Sequence, residues 1–287
     1  MLLRCGSRTL DLSMPIVMGV LNITPDSFSD GGRWLDPARA IEQALKMIDE
    51  GAGVIDIGGE STRPGAAAVS IDEELRRVVP VIEAIAARSA IPISVDTSRP
   101  EVIRVATDAG ATLINDIRGL RAPGALAAAA ATSAAVCVMH MQGEPRTMQT
   151  APTYENVFAE VRQFLTERIA ACEQAGIPAN RIVVDPGIGF GKRLEHNLEL
   201  LIRIRELQSF GLPVLIGVSR KSIIGAITGR SVEQRLAGGL AFATAAVLGG
   251  ASIIRAHDVA ATVDAVKVAT ALRDASKNSE GRVAGES

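Results

Sequence analysis

The sequence predicts an α/β fold, a single (β/α)8 TIM barrel with a short N-terminal hairpin. Eight short apolar runs alternate with helical patterns, and each unit takes roughly 25–45 residues, as the units of such a barrel do. Polar residues follow every one of these runs. An open doubly wound sheet is the alternative, and it is disfavoured because no Gly-x-Gly-x-x-Gly motif opens the first helix.

The first barrel strand is predicted at 16–21, where an apolar run breaks into a loop of Asn, Thr, Pro, Asp, Ser and Gly. Two short runs before it, 2–4 and 9–12, flank a turn-sized segment and predict the hairpin, which could cap one end of the barrel. Apolar runs without alternation are typical of parallel strands buried on both faces. The other strands are predicted at 53–57, 92–95, 113–114, 135–139, 182–184, 214–217 and 252–254.

Helical periodicity and end signals predict the helices between these strands. The first begins at Pro37, a residue suited to the first turn of a helix, and it stops before Gly51. The small and polar residues 276–287 are predicted to be a disordered tail, and residues 1–275 to form one domain. The later helices are predicted at 71–88, 100–108, 123–131, 154–175, 194–208 and 232–248.

Composition argues against several classes of protein. The 287 residues are 47% hydrophobic and 22% charged, as expected of a soluble globular chain. The net charge is −2 and there is no basic run, so the sequence gives no sign of binding to nucleic acid or to an anionic membrane. The three cysteines are far apart and lack metal-ligand spacing. No apolar stretch is long enough for a membrane span, and residues 1–13 lack the apolar centre of a signal peptide. We therefore expect a cytoplasmic protein.

The polar residues at the strand ends form the candidate site. All strands of such a barrel point the same way, so these residues should converge on one rim, where the active site of this fold lies. A single polar residue at a strand end often only caps the following helix, but eight together are harder to explain in that way. The eight residues are Asn22, Asp56, Asp96, Asn115, His140, Asp185, Lys221 and Arg255.

The residues at the rim differ in the ligand they suit. Asp96, Asn115 and Asp185 offer acceptors that match the planar, guanidine-like donor edge of a heterocycle. A second group suits a polyanion such as phosphate or diphosphate, with a divalent metal on its oxygens. This group contains Asn22, Thr62, Arg63, Arg255 and His257.

Two of these assignments have alternatives. Arg63 could be a solvated loop arginine, although Pro64 and Gly65 beside it favour a shaped anion loop. Asp56 follows two apolar positions and could be wholly structural, accepting hydrogen bonds from loop amides.

Eight motifs occur in order over about residues 16–268, and in them the chain resembles the dihydropteroate synthase family. The resemblance implies a cytoplasmic, homodimeric transferase of folate biosynthesis. Such an enzyme joins 6-hydroxymethyl-7,8-dihydropterin diphosphate to 4-aminobenzoate, releases diphosphate with the help of Mg²⁺, and is a target of sulfonamides. The motifs are MGVLNITPDSFSDGG, DIGGESTRPGA, SVDTSRPEV, INDI, MHMQG, VVDPGIGFGK, IGVSRK and IRAHDV.

The resemblance also assigns residues to three parts of the site. Catalytic roles fall on Asp96, Asp185, Lys221 and Arg255, and the role of metal ligand falls on Asn22. The pterin pocket it implies consists of Asp96, Asn115, Asp185 and Lys221, with Ile117 and Met139 as apolar walls. The diphosphate site it implies consists of Asn22, Thr62, Arg63, Arg255 and His257. The aminobenzoate side it implies consists of Phe190, Ser219 and Arg220.

Two other functions share part of this pattern. A folate-dependent methyltransferase shares the barrel and the carboxylates, but it needs no anion site made by the STRPG motif and the Arg255 and His257 pair. A catalytically silent pterin-binding paralogue should have lost Asn22, Arg63, Lys221 or Arg255, and all four are present.

Overall fold

A computed structural model describes residues 1–24, 37–60, 69–144 and 147–284, with side chains as far as 276. Two short strands, β1 (Leu2–Cys5) and β2 (Arg8–Asp11), precede the barrel. The barrel strands are β3 (Ile16–Asn22), β4 (Val54–Gly58), β5 (Ile93–Asp96), β6 (Leu113–Asp116), β7 (Ala135–Met139), β8 (Ile182–Asp185), β9 (Leu215–Gly217) and β10 (Ile253–Ala256). The helices are α1 (Pro37–Asp49), α2 (Ile71–Ala86), α3 (Pro100–Asp108), α4 (Ala125–Ala130), α5 (Val157–Gln174), α6 (Leu194–Ile202), α7 (Ile204–Leu207), α8 (Ser222–Thr228), α9 (Leu236–Leu248) and α10 (Val259–Ala284).

The eight barrel strands are parallel and form one sheet in the order β8-β7-β6-β5-β4-β3-β10-β9. The two end strands meet at a bridge between Val184 and Val214, where the Val184 N–H donates to the Pro213 carbonyl at 3.0 Å. The sheet is therefore a nearly closed barrel with helices around it. This confirms the predicted fold, and each predicted strand lies within two residues of the observed one.

Alternate residues of each strand face opposite sides of the barrel wall, as strand geometry requires. Ile55 and Ile57 of β4 pack with Val78 and Ile82 of α2 in the large core between sheet and helices. Val54, which precedes Ile55, belongs to a second cluster with inward residues of other strands, such as Met18, Leu113 and Ile253. Because the inward residues nearer the strands' C-terminal ends are mostly polar, the lumen is apolar at the bottom and polar at the top.

The hairpin closes the bottom of the barrel. β1 and β2 pair antiparallel, and Leu3, Cys5 and Leu12 are buried in the lower lumen cluster. The Gly6 N–H donates to the Ser133 carbonyl at 3.0 Å, which ties the turn to the segment before β7. Gly6 has φ +65°, a conformation that favours glycine. The predicted hairpin is confirmed.

Several predicted helix boundaries differ from the observed ones for local reasons. The predicted helix 154–175 begins only at Val157, because Asn156 caps it by accepting from the Ala159 N–H at 3.0 Å. The predicted helix 123–131 begins at Ala125, because Gly124 takes a left-handed conformation. The predicted helix 194–208 is split at Arg203, whose guanidinium lies 3.7 Å from the centre of the Phe158 ring.

The last third of the chain holds three further differences. Helix α8 between β9 and α9 was not predicted, and the predicted helix 232–248 consists of a short 3₁₀ turn, 232–234, followed by α9. The tail predicted to be disordered from 276 continues α10 as far as Ala284, since it holds no proline to end a helix, and 285–287 lie outside the described residues. Within the described ranges, no helix has both the length and the apolarity required to cross a membrane.

Candidate active site

The centre of the site is an ion pair network at the top of the lumen. Arg255, on β10, donates from Nε to Oδ2 of Asp56 at 2.6 Å and from Nη2 to Oδ2 of Asp96 at 2.8 Å. The Asp56 side chain is fully buried, so its charge depends on this partner. Burial alone disfavours the guanidinium charge, but the carboxylates outweigh it and raise the pKa of Arg255.

This network adds contacts that two predictions did not include. For Asp56 one alternative was a structural acceptor for loop amides; its side-chain partners are instead Arg255 and Asn115, whose Nδ2 donates to Oδ2 at 3.1 Å. Arg255 was assigned to the anion group and Asp96 to the heterocycle group, yet the two are in direct contact. The two groups of the rim are therefore coupled through one guanidinium.

Asp185 lies on the other side of the lumen at the end of β8. Its Oδ1 accepts from the Gly187 N–H at 2.7 Å, which fixes the carboxylate at the start of the following loop. Burial raises the pKa of this carboxyl, although the Lys221 charge and the Gly187 hydrogen bond oppose the shift. Burial likewise raises the pKa of Asp96 to about 7, against the effect of Arg255.

Lys221 completes the charged part of the rim. Its ammonium donates to the Ile188 carbonyl and lies 4.8 Å from the centre of the Phe190 ring. Burial lowers the pKa of Lys221 to about 8, and Asp185 counteracts the shift. Three carboxylates, those of Asp56, Asp96 and Asp185, thus surround two cations, Lys221 and Arg255. At full ionisation the group carries a surplus negative charge, which suits a ligand that donates hydrogen bonds or becomes cationic.

Apolar side chains form a wall beside these charges. The predicted walls Ile117 and Met139 pack together, and Phe190 lies against them. Met141 and Met148 complete the cluster and were not predicted, although the MHMQG motif contains the first of them. A flexible thioether surface of this kind can contact the face of a flat heterocycle.

Ser219 and His257 meet on the β9 and β10 side of the rim. The Ser219 hydroxyl accepts from the His257 backbone N–H at 3.2 Å and lies 3.1 Å from the His257 Nδ1. The two residues were assigned to different parts of the site, aminobenzoate and diphosphate, and the structure brings them together. Arg220 has φ +60° and binds Asp258 through both ends of its guanidinium, at 2.7 and 3.2 Å.

Asn22 ends β3 on the same rim. A Cβ atom placed on Gly58 would lie 3.4 Å from Asn22 Oδ1 and 3.5 Å from Asp96 Cβ, so the glycine keeps this space open. An amide oxygen beside such a space suits a hard cation that takes its other ligands from water and phosphate. In the part of the chain that the structure describes, no cluster of three or more His, Cys, Asp or Glu could hold a metal. The predicted residues Thr62 and Arg63 lie outside the described residues.

His140 was predicted at the rim but is buried beneath it. Its ring packs edge-on against Phe164, with ring centres 4.9 Å apart, and its Nδ1 lies 2.9 Å from the Nζ of Lys192. Burial and the Lys192 charge lower the pKa of His140 to about 2, so the imidazole is neutral. Lys192 was missed, although a lysine at the end of the glycine-rich PGIGFGK segment was a signal in the sequence.

Comparisons with known proteins agree with this arrangement. The family model described as "Pterin binding enzyme" matches residues 18–257. Dihydropteroate synthase of Escherichia coli K12 is 57% identical over 270 residues, which are 94% of this chain and 96% of that protein. Dihydropteroate synthase of Haemophilus influenzae is 52% identical over 268 residues, which are 93% of this chain and 98% of that protein.

Solved structures of similar proteins have the same fold. Dihydropteroate synthase of Yersinia pestis in complex with a sulfonamide drug has a TM-score of 0.91 and 51% identity, and the match covers 96% of this chain and 100% of that one. Dihydropteroate synthase of Xanthomonas albilineans in complex with 7,8-dihydropteroate has a TM-score of 0.87 and 49% identity, over 95% of this chain and 99% of that one. The chain therefore belongs to the dihydropteroate synthases, within the family of pterin-binding enzymes.

Proposed function

We propose that the chain condenses 6-hydroxymethyl-7,8-dihydropterin diphosphate with 4-aminobenzoate, giving 7,8-dihydropteroate and diphosphate in folate biosynthesis. The observation that carries the proposal is the rim itself, where carboxylate and amide acceptors stand beside a guanidinium at the mouth of the barrel. Relatives at 57% and 52% identity over nearly the whole chain carry the name of this activity.

The pterin binds to the acceptor side of the rim. Asp96, Asp185 and the Asn115 side-chain oxygen accept from its planar donor edge, because the Asn115 amide nitrogen already donates to Asp56. Ile117 and Met139 contact its faces. Lys221 orients the carbonyl side of the ring, since its ammonium lies at the mouth beside Asp185.

The diphosphate binds to Arg255 and His257 together with Asn22, Thr62 and Arg63. Asn22 is the proposed ligand of Mg²⁺, for which the open space over Gly58 provides room. When bound there, Mg²⁺ would supply positive charge to the diphosphate oxygens. Arg255 and His257 supply further donors to the same charge.

The chemistry needs little proton transfer by the protein. An aromatic amine is neutral at pH 7 and carries a free lone pair, so departure of diphosphate is the difficult step. In a dissociative reaction the pterin methylene becomes cationic, and the carboxylates of Asp96 and Asp185 stabilise that charge. Their role is thus electrostatic and not that of a general base.

The aminobenzoate binds at Ser219, Arg220 and Phe190. Ser219 lies in contact with His257, which places this side next to the diphosphate donors. The Arg220 guanidinium carries a positive charge at the outer rim, where it suits the benzoate carboxylate. Sulfonamides compete at this position as mimics of 4-aminobenzoate.

A homodimer in the cytoplasm is part of the proposal. Leu236 of α9 is 44% exposed, and Val268 and Leu272 of α10 are 60% and 55% exposed, so the adjacent helices α9 and α10 present apolar surface. Such a face suits contact with a second copy of the chain. Three buried cysteines without disulfides suit a reducing compartment.

The activity itself is the first prediction. The purified chain with Mg²⁺ and the pterin diphosphate should release diphosphate only when 4-aminobenzoate is added, and mass spectrometry should detect 7,8-dihydropteroate. If no diphosphate is released with both substrates present, the result would support a silent pterin-binding protein. Methyl transfer from a methylated folate, without diphosphate release, would support the methyltransferase alternative.

The second prediction concerns Asp185→Asn. The Gly187 N–H holds one acceptor position, so the new amide should keep its oxygen there and turn its NH₂ toward the pterin donor edge. Calorimetry should show binding of a pterin without diphosphate weakened by about 2–4 kcal/mol, with diphosphate binding changed less. The exposed Asp108→Asn on α3 is the matched control. Unchanged pterin affinity in Asp185→Asn would contradict the proposed role.

The third prediction concerns Arg255→Ala, which should abolish most turnover and also destabilise the fold. Loss of the guanidinium leaves the buried Asp56 carboxylate without a cation, and urea unfolding should show a loss of about 3–5 kcal/mol. Asp56→Asn in the same background should recover part of this stability but none of the turnover. A double variant no more stable than Arg255→Ala would show that Asp56 does not depend on this partner.

The fourth prediction is that sedimentation at micromolar concentration gives the mass of two chains. Leu272→Glu should give the mass of one chain, because it places a charge in the proposed contact on α10. Ile202 of α6, which is 83% exposed, provides the control, and Ile202→Glu should leave the dimer intact. A wild-type monomer would contradict the proposed interface.

A further inference from the structure

Lys192 is a buried cation that has no part in the reaction as described above. Its side chain is only 3% exposed, yet its ammonium meets four acceptors. It lies 2.9 Å from the Gly187 carbonyl, 3.1 Å from the Phe190 carbonyl, 3.4 Å from the His140 carbonyl and 2.9 Å from the His140 Nδ1. An ammonium has three donors, so the pocket satisfies all of them.

These contacts close the loop that follows β8, residues 186–193, into a compact turn. Cβ atoms on Gly187 and Gly191 would overlap the carbonyl oxygens of His140 and Gln142, so the loop backbone lies directly on the segment after β7. The Tyr154 hydroxyl donates to the Gly191 carbonyl at 2.8 Å and supports the same turn from outside. Lys192 is the only described side chain that binds both Gly187 and Phe190 of this loop.

The loop carries groups that the reaction uses. The Ile188 carbonyl accepts from Lys221. The Phe190 ring contacts Lys221 and packs against the apolar wall that contains Ile117 and Met139. Asp185 stands directly before the loop and is fixed by the Gly187 N–H. The places of a cation and an aromatic ring in the site therefore depend on how the loop is folded.

His140 provides one of the acceptors for the Lys192 ammonium. Its imidazole is neutral and presents Nδ1 as an acceptor, while Phe164 holds the ring in place from the side. Burial lowers the pKa of Lys192 to about 7, and the Asp185 carboxylate opposes the shift. Three carbonyl oxygens and a neutral imidazole supply the acceptors that the buried ammonium needs.

We propose that Lys192 is a positioning residue of the condensation, holding the 186–193 loop so that Phe190 and Lys221 stand where 4-aminobenzoate and the pterin meet. This inference rests on the proposed function, because it concerns the same site. It predicts that loss of the ammonium disturbs the loop, and that this raises the KM for 4-aminobenzoate more than it lowers kcat.

Steady-state kinetics of Lys192→Met test the proposal. The variant keeps an unbranched apolar side chain and loses the donors, so the KM for 4-aminobenzoate should rise roughly 10- to 100-fold, with kcat changed less. The effect should be clearly smaller in a Phe190→Ala background, because one of the two residues through which it acts is then absent. Lys46→Met on the exposed face of α1 is the control and should leave both constants unchanged.

The outcomes are separable. An unchanged KM in a folded Lys192→Met, or an equal rise in the presence and absence of Phe190, overturns the positioning role. If Lys192→Met does not fold, Tyr154→Phe decides, since it removes one hydrogen bond to the same loop and should raise this KM several-fold; an unchanged value overturns the proposal. A wild-type chain without condensing activity overturns the proposed function itself.

Discussion

The pairing of Arg255 with Asp56 and Asp96 is the interaction on which the top of the barrel depends. A carboxylate without exposure to water needs a cation and hydrogen bonds, and Asp56 obtains them from Arg255 and Asn115. Strands β4, β5, β6 and β10 are thereby joined through side chains as well as through the sheet. The charges that are proposed to bind substrate are the same charges that hold the lumen together.

Because Arg255 takes part both in the ion pairs of the lumen and in the proposed diphosphate site, the proposed pterin and diphosphate sites are not independent. Arg255 is oriented by carboxylates on the proposed pterin side, and it also belongs to the proposed diphosphate site. Ser219 and His257 make a second link, between the proposed aminobenzoate and diphosphate sides. If the substrates bind as proposed, binding of one alters the electrostatic surroundings of the next, and such coupling acts in both directions.

The sequence was sufficient for the barrel, because strand after strand ends in a polar residue and parallel strands bring those ends to one rim. It was not sufficient for the pairing of side chains. Arg255 and Asp56 are 199 residues apart, and no local pattern joins them. Helix α8 was missed because its seven residues include Gly225 and show little periodicity. The contact between Lys192 and His140 could not be predicted, because only the fold brings the loop after β8 next to the end of β7.

The position of Arg255 near the end of the chain has a consequence for synthesis on the ribosome. Asp56 and Asp96 emerge long before their cation, which follows them by 199 and 159 residues. Until β10 emerges, the strands on either side of its place, β3 and β9, lack their shared neighbour, and the acidic lumen cannot be sealed from water. A nascent chain must therefore keep these carboxylates hydrated, and the site becomes complete only when the last strand is inserted.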